Sequence, residues 1–558
     1  MKKLKKNINW ILALFFGLSM ELGRQAQAFG EVNFKSPKTY VGILLMTAIC
    51  GSWMKLMWDI MQEKIATAQT AVPKQPDCPT PTQSAGSVPK HYSGEEKHIG
   101  LRHRTFVSSF GIIWILNFIV LLGVYPGFFC YDANYELTEV LSRNFDTQHP
   151  LLHVLGLGGG IQIFKHLTGN DNLSIFLYIL CQMTIIALVY AFVVKILRNK
   201  GLGRGFAIAL SIYFGAFPVL VMYSLCSSKD GLFGAALLIM MIYLRNVLMN
   251  PKEFQTRKSN YVVLVASSVL MMLLRNNGVY AYSVFLVLTL IVALCRKERN
   301  FKELLISGIV SIALFFLSSG LLGALTGATD IGHREILSVP IQQMARMYCY
   351  DKDRLTDEET DAILRYLPEE ALKCYNPKCS DPVKIEFRED EYVKSPKDFF
   401  KTWIDIGLKH PAGYLNAFVM TNYGLYFPDA VIDGYKGNEV YTFRYEDSSY
   451  FGYETEIPGE RKSKIKFIDD FYRWLSLDVT IQTIPGLSWL FAPGFMLWAV
   501  LFFWGYMVYT DKVWKATLYL LPLLIIATCL LGPISLVRYS FYLWIILPVM
   551  IAEIFERE

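Results

Sequence analysis

The chain has 558 residues, 53% of them hydrophobic, and a mean hydropathy of +0.32. That is too apolar for a soluble protein of this size, and its recurrent apolar runs match the roughly 20 residues a spanning helix needs. The formal charge of +6 is modest, and the basic residues cluster between apolar runs, which makes them topology signals and not a nucleic-acid surface.

Taken in chain order, the runs predict an all-α polytopic membrane protein with about twelve transmembrane helices. The spans are 8–25, 39–60, 106–124, 172–195, 204–224, 231–249, 260–274, 279–295, 303–325, 485–509, 514–532 and 540–555. The first follows Lys2, Lys3, Lys5 and Lys6 and precedes Ala26-Gln27-Ala28, so it reads as a cleaved signal peptide or a short retained anchor. We take it as an anchor, which makes 1–60 an N-terminal membrane hairpin. Residues 61–105 are rich in Pro, Gln, Thr and Ser and carry scattered Lys and Arg, the composition of a disordered cytoplasmic linker.

Four more basic clusters fall on the linker's side: Lys195 to Arg204, Lys252 to Lys258, Arg296 to Lys302, and Lys512 with Lys515. Positive-inside reasoning makes that side cytoplasmic and places both chain ends there. The core 106–325 then has one long external loop, 125–171. Residues 326–484 form an extracytoplasmic, mainly helical insertion, and the last three helices occupy 485–558. In the insertion, Thr356 with its following acidic residues reads as a helix start, and Pro396 to Leu408 has helical spacing. Cys374 and Cys379 lie in the same stretch, as a disulfide or as two thiols.

Polar motifs interrupt the apolar chain at YPGFFCYDANYE with QHPLLH, at SSKD, at RNNG and at LVRYS, all on the non-cytoplasmic face in this threading. Charges at such positions are costly and are usually functional or paired. Asp132 precedes a short amphipathic helix with Ala133, Leu137, Val140 and Leu141 on one stripe. It reads either as a helix N-cap or as a general base whose proton affinity is raised by apolar surroundings. Glu136 lies one turn on as a second carboxylate or partner. His149, with Asp146 nearby and Pro150 behind it, faces substrate or serves structure, while His153 reads as packing.

Lys229 and Asp230 stand at the outer end of a span, as a site pair or a surface contact. Arg275 and Asn276 sit in a tight hairpin in which Gly278 permits the turn, and Arg538 lies between the last two spans. An Arg fork suits phosphate because it donates two hydrogen bonds and stays charged. In the insertion Gln342, Gln343 and Arg346 share one helix that reads sugar hydroxyls or is merely solvated. Tyr435, Tyr441, Tyr445, Tyr450 and Tyr453 stack on sugars or pack. No cofactor is implied. A divalent metal has ligands only if Asp132, Glu136, His149 and Asp230 converge. Neither a GxxxxGK[ST] loop nor a GxGxxG turn is present, which argues against an ATP-driven pump or a nucleotide-sugar enzyme.

The early Asp132 followed by FDTQHPLL resembles the GT-C membrane glycosyltransferases, nearest to the protein O-mannosyltransferase and lipid A aminoarabinose transferase branch. YPG…D, HPLL, KD, RNNG and QQxxR also resemble an uncharacterised bacterial multi-pass family. The chain departs from the transferase pattern where Leu151 replaces a second Pro after His149-Pro150, and where Asp132 and Glu136 replace an adjacent Asp-Glu pair. The resemblance implies a GT-C-like fold over roughly 106–555 and transfer of a sugar from a polyprenyl-phosphate carrier to a cell-envelope glycan or glycolipid, outside the cytoplasm of a bacterial cell. Asp132 would then activate the acceptor. Lys229, Arg275 and Arg538 would hold the lipid phosphate, and His149 and Asp230 would orient substrate or a metal. Two rivals stand beside it. A polysaccharide polymerase or O-antigen-ligase-like enzyme would lean on Arg and His. A transporter or flippase would place its charges near the midplane, often in inverted repeats.

Overall fold

The computed structural model describes residues 2–70, 93–297, 301–330, 332–432, 457–477 and 480–556. Helices dominate, and β pairing among the described residues is limited to isolated bridges such as Phe128 with Cys226. The five tyrosines between 435 and 453 lie outside the described residues.

The N-terminal hairpin is α1 (Lys2–Phe29) and α2 (Pro37–Thr70), followed by α3 (Ser93–Gly123). Helix therefore occupies both ends of the expected linker, and only its centre, 71–92, is left outside the description. The expected external loop is built of α4 (Ala133–Ser142) and α5 (Leu151–Thr168), which turns at Gly169 into α6 (Asp171–Asn199). On α4, Ala133, Glu136 and Leu137 are buried while Leu141 is 58% exposed, so the buried stripe runs through a carboxylate instead of Leu141.

The core continues with α7 (Arg204–Ala216) and α8 (Pro218–Leu225), a pair bent by 56° at Phe217, where Pro218 cannot donate to the preceding turn. Next come α9 (Lys229–Met249), the short α10 (Pro251–Gln255), α11 (Lys258–Leu274), α12 (Asn277–Arg296) and α13 (Lys302–Thr326). The α11–α12 turn is made by Arg275 and Asn276 without a positive φ at Gly278. Gly278 instead allows close approach, since a Cβ there would meet Met271 Sδ at 2.7 Å.

Six helices among the described residues are long and apolar enough to cross a membrane, or seven if α7 and α8 form one span. The chain is a multi-pass membrane protein by this measure. Four further apolar segments are shorter: 258–274, 493–509, 513–529 and 542–554.

The insertion contains α14 (Ser338–Tyr350), α15 (Asp357–Tyr366), α16 (Glu369–Lys373), α17 (Asp381–Lys384), α18 (Glu389–Lys394), α19 (Pro396–Lys409) and α20 (Pro411–Tyr426). Thr356 caps α15 in a full capping box with Glu359. Ile341, Met344, Ile363, Tyr366, Val383 and Phe399 form a core of their own. Cys374 is exposed, Cys379 is buried against Ile534 and Leu536, and no disulfide joins them. The apolar α20 turns back beside α1. Asn416 binds the Val32 backbone, and Ser19 donates to the Tyr426 carbonyl at 2.5 Å.

After α21 (Lys466–Leu477) and α22 (Thr480–Thr483) come α23 (Pro493–Tyr509), α24 (Val513–Leu518), α25 (Leu520–Cys529) and α26 (Tyr542–Ile554). Two of the last three expected spans thus change shape. The helix expected from 485 starts at Pro493, and the one expected over 514–532 breaks at Tyr519, three residues before Pro522.

Candidate active site

The four polar motifs meet at one end of the helix bundle. Asp132 occupies the N-cap position of α4, but its side chain caps nothing. Tyr131 just before it has φ 61°, a left-handed conformation that costs a bulky residue energy. The carboxylate instead meets basic groups. Asp132 Oδ2 lies 3.4 Å from Lys229 Nζ, 3.5 Å from Arg538 Nη1 and 3.7 Å from His149 Nδ1.

Each partner is fixed by its own element. Phe128 N donates to the Leu225 carbonyl, Ser227 N donates to the Phe128 carbonyl, and Ser227 Oγ accepts from Cys130 N. These bonds strap the loop carrying Asp132 onto the loop that opens α9 and carries Lys229. Gly231 lets α9 start hard against α8, because a Cβ there would sit 2.1 Å from the Tyr223 carbonyl oxygen. Arg538 lies on a 3-10 turn, Val537–Tyr539, with its guanidinium 4.5 Å from the Tyr131 ring and 5.3 Å from the Tyr539 ring. Its Nε is buried and donates no hydrogen bond among the described residues.

Burial alone would raise the proton affinity of Asp132. The charges of Arg538 and Lys229 outweigh it, with His149 adding to them only when protonated, and hold the carboxyl well below the usual range. The expected raised affinity is therefore reversed, because cations remote in sequence converge on the group. Burial lowers the proton affinity of His149 and Lys229 and Arg538 add to this, while Asp132 and Glu136 oppose it; the net favours a neutral ring. With Lys229 Nζ 3.3 Å from Nδ1, a neutral ring accepts there and carries its proton on Nε2.

Behind this group Glu136, expected as a second carboxylate or partner, pairs with His153, expected as packing. His153 Nδ1 is 2.5 Å from Glu136 Oε2, with both side chains buried, and Glu136 Oε1 is 4.0 Å from His149. His149 just before α5 and His153 on its first turn, four residues apart, were the available signal. Asp132, Glu136 and His149 offer ligand atoms within 4.8 Å of one another. Lys229 and Arg538 already sit on Asp132, and His153 on Glu136, so this charge arrangement suits an incoming anion better than a metal ion.

Tyr131, Asp132, His149, Lys229, Arg538 and Tyr539 line a cavity of about 170 Å³, and the insertion supplies its roof. At roughly 30 Å³ per water it has room for five or six waters, the scale of a phosphate or a single sugar ring. The roof is Arg334, Glu335, Asp381 and Lys384. Lys384 is buried between Asp381 at 2.7 Å and Glu335 at 2.6 Å; burial opposes its charge, but these carboxylates hold its proton affinity above the usual lysine range. Ser380 N donates to the Pro533 carbonyl, which ties the roof to the loop that carries Arg538. Neither Asp381 nor Lys384 was singled out in the sequence.

The remaining candidates stand outside this cavity. Asp230 is fully buried and pairs with Arg275 Nε at 3.1 Å, so it supports Arg275 and does not face the cavity. Arg275 lies 5.4 Å from the Phe233 ring and 5.1 Å from the Tyr539 ring, leaving Tyr539 between Arg275 and Arg538. Asn276 is exposed at the α11–α12 turn. Gln343 donates to the Tyr414 carbonyl and accepts from Trp403, inside the insertion. Arg346 is buried there, 3.6 Å from Glu31 and stacked on Tyr350. The helix carrying both holds the insertion together and does not reach the mouth of the bundle.

No curated protein and no solved structure matches the chain. Residues 142–558 match a family of unknown function, DUF6020, over a stretch that includes His149, Lys229 and Arg538. That match spans most of the sequence, and the chain belongs to the DUF6020 family.

Proposed function

We propose that this protein is a membrane glycosyltransferase of GT-C type, which moves a sugar from a polyprenyl-phosphate donor to a glycan or glycolipid of the bacterial cell envelope. The observation that carries the reading is the meeting of Asp132 with Lys229 and Arg538 under a polar roof. One carboxylate able to take a proton stands beside two cations able to hold a leaving phosphate. The orientation is part of the proposal: chain ends in the cytoplasm, about twelve spans counting the short and broken ones, and the Asp132 cavity at the outer surface.

In this mechanism the acceptor hydroxyl gives its proton to Asp132 as its oxygen bonds to the anomeric carbon. The bond from that carbon to the phosphate oxygen breaks, and the electron pair leaves with the phosphate. Lys229 and Arg538 receive the charge. The low proton affinity of Asp132 in the resting site becomes an advantage. A donor phosphate competes for the same two cations and loosens their hold on the carboxylate, so Asp132 becomes a competent base only when donor is present. His149 hydrogen-bonds Lys229 and steadies it, and Arg275 supports Arg538 through Tyr539.

Cys130 is fully buried and useless for an impermeant probe, but Cys374 and Cys295 are exposed. The proposed orientation expects labelling of Cys374 and not of Cys295 from outside intact cells; the reverse pattern would overturn it. An O-antigen-ligase-like enzyme would survive Asp132→Asn. A transporter would move labelled lipid-linked glycan into proteoliposomes without forming a covalent product.

A further inference from the structure

Helix α21 does not line the Asp132 cavity, and its side chains divide into three sectors. At about 100° per residue, Ile468, Tyr472 and Leu475 share one face, and all three are buried against the bundle. Lys466, Asp470 and Arg473 share a second, on which Lys466 and Asp470 pair at 2.9 Å. Phe467, Phe471 and Trp474 share the third, an arc of about 60°. Among the described residues these three rings are 74%, 45% and 38% exposed. A helix surrounded by water does not gain by presenting three large aromatic rings on one arc, and a spanning helix does not carry a charged arc beside it.

The chain before α21 is pinned to the ends of two apolar helices. Lys462 N donates to the Tyr125 carbonyl at 2.9 Å and Lys464 N to the Leu122 carbonyl at 3.0 Å, where α3 ends. Asn172, in the first turn of α6, donates to the Glu460 carbonyl at 2.6 Å and accepts from the Glu460 N–H at 2.7 Å. Gly123 then lets α21 close on α3, because a Cβ there would meet Ile468 Cγ2 at 2.4 Å. Arg104–Gly123 of α3 and the whole of α6 are long and apolar enough to cross a membrane. These contacts hold α21 at the depth where spans end and hydrocarbon gives way to water.

We propose that α21 is an interfacial helix whose Phe467, Phe471 and Trp474 lie among phospholipid acyl chains just beneath the headgroups, with Lys466, Asp470 and Arg473 in the headgroup layer. A charged face beside a Phe- and Trp-bearing face binds a bilayer surface in this way, and aromatic residues favour that depth. Lipid is the occupant because α3, the helix that α21 packs on, itself exposes Val107, Ile115 and Ile119 as a lipid-facing span does. Tyr472, on the buried face of α21, lies 5.8 Å from the Phe128 ring in the strap that carries Asp132. The headgroup layer is thereby brought to the level of that strap. The inference does not rest on sugar transfer.

The full-length protein is placed in phosphatidylcholine nanodiscs doped with a phosphatidylcholine that carries a diazirine either near the glycerol end of one acyl chain or at its far end. After irradiation, trypsin releases residues 467–473 as one peptide and residues 355–365 of the insertion as another, and lipid adducts on each are counted by mass spectrometry. The expected result is about tenfold or more adduct on 467–473 than on 355–365, more from the shallow diazirine than from the deep one, and the same yield in discs holding one copy or two. The double variant Phe467→Ser/Phe471→Ser changes exposed side chains, so it should melt like wild type while its adduct yield falls about tenfold. A yield on 467–473 no greater than on 355–365 would overturn the proposal, leaving the face in water or under another part of the chain. A yield that falls in two-copy discs would assign the face to a second copy and overturn it as well, and labelling by the deep diazirine alone would overturn the interfacial depth.

Discussion

Replacing Asp230 by Asn leaves the Arg275 guanidinium charged, 8% exposed and without its carboxylate. Breaking a buried pair by removing one partner costs about 3–5 kcal/mol, because the remaining charge is left uncompensated. Arg275 keeps the Phe233 and Tyr539 rings at 5.4 and 5.1 Å and the Tyr539 carbonyl at 3.5 Å. Each ring contributes about 0.5–2 kcal/mol, so Asp230→Asn should cost roughly 2–4 kcal/mol. Arg275→Met strands the fully buried Asp230 with no such support and should cost at least as much. The double variant removes both charges and should be milder than the sum, with a coupling energy of about 2 kcal/mol or more. Unfolding in mixed detergent micelles, read by circular dichroism, supplies the four free energies of the cycle. Since Tyr539 lies between Arg275 and Arg538, Asp230→Asn should also lower turnover without touching substrate. A cost for Asp230→Asn below about 0.5 kcal/mol, or additive single variants, would refute the reasoning.

Arg538→Lys keeps the charge but loses the flat contact with Tyr131 and Tyr539, and should reduce sugar transfer about tenfold; Arg538→Gln should reduce it about 100-fold or more. Gly231→Ala places a methyl against the Tyr223 carbonyl and should destabilise by roughly 1–3 kcal/mol while displacing Lys229, which a thermal melt paired with a turnover assay will show. Burial, reinforced by the charges of Asp146 and Glu136, pushes the Glu139 carboxyl up to about 7 from an unfolded value near 4.5. Between those values the folded state binds more protons than the unfolded state, so stability falls as pH rises through that window. Glu139→Gln should therefore match wild type near pH 4 and be more stable by roughly 1–2 kcal/mol at pH 8, once the shift is discounted for the solvent screening of a half-exposed carboxyl, measured by unfolding at both pH values.

The sequence marked the site because charged motifs at the ends of apolar runs are costly unless they are used or paired. Asp132, His149 and Lys229 could be read in that way. Their meeting with Arg538 was less legible, since it joins loops more than 400 residues apart and depends on the strap between Phe128 and Ser227. The basicity of Asp132 was misjudged for the same reason: a one-dimensional reading saw apolar neighbours and missed the cations folded onto it. Asp230 carried the right signal, a buried charge, but its partner turned out to be Arg275 and not a ligand. His153 lay inside an apolar run and read as packing, and no motif marked Asp381 or Lys384. Span lengths were the weakest part, because hydropathy is blind to the breaks at Phe217 and Tyr519, where backbone geometry and not side-chain polarity interrupts the helix.

The central claim is that Asp132, Lys229 and Arg538 transfer a sugar from a lipid phosphate. Purified full-length protein incubated with a panel of polyprenyl-phosphate sugars and envelope acceptors, followed by mass spectrometry of the lipid, tests it most directly. The account predicts acceptor-dependent release of polyprenyl phosphate from at least one donor, reduced at least 100-fold in Asp132→Asn, on the order of what a single catalytic base contributes. Release that proceeds unchanged in Asp132→Asn, or an intact donor across the whole panel, would contradict it.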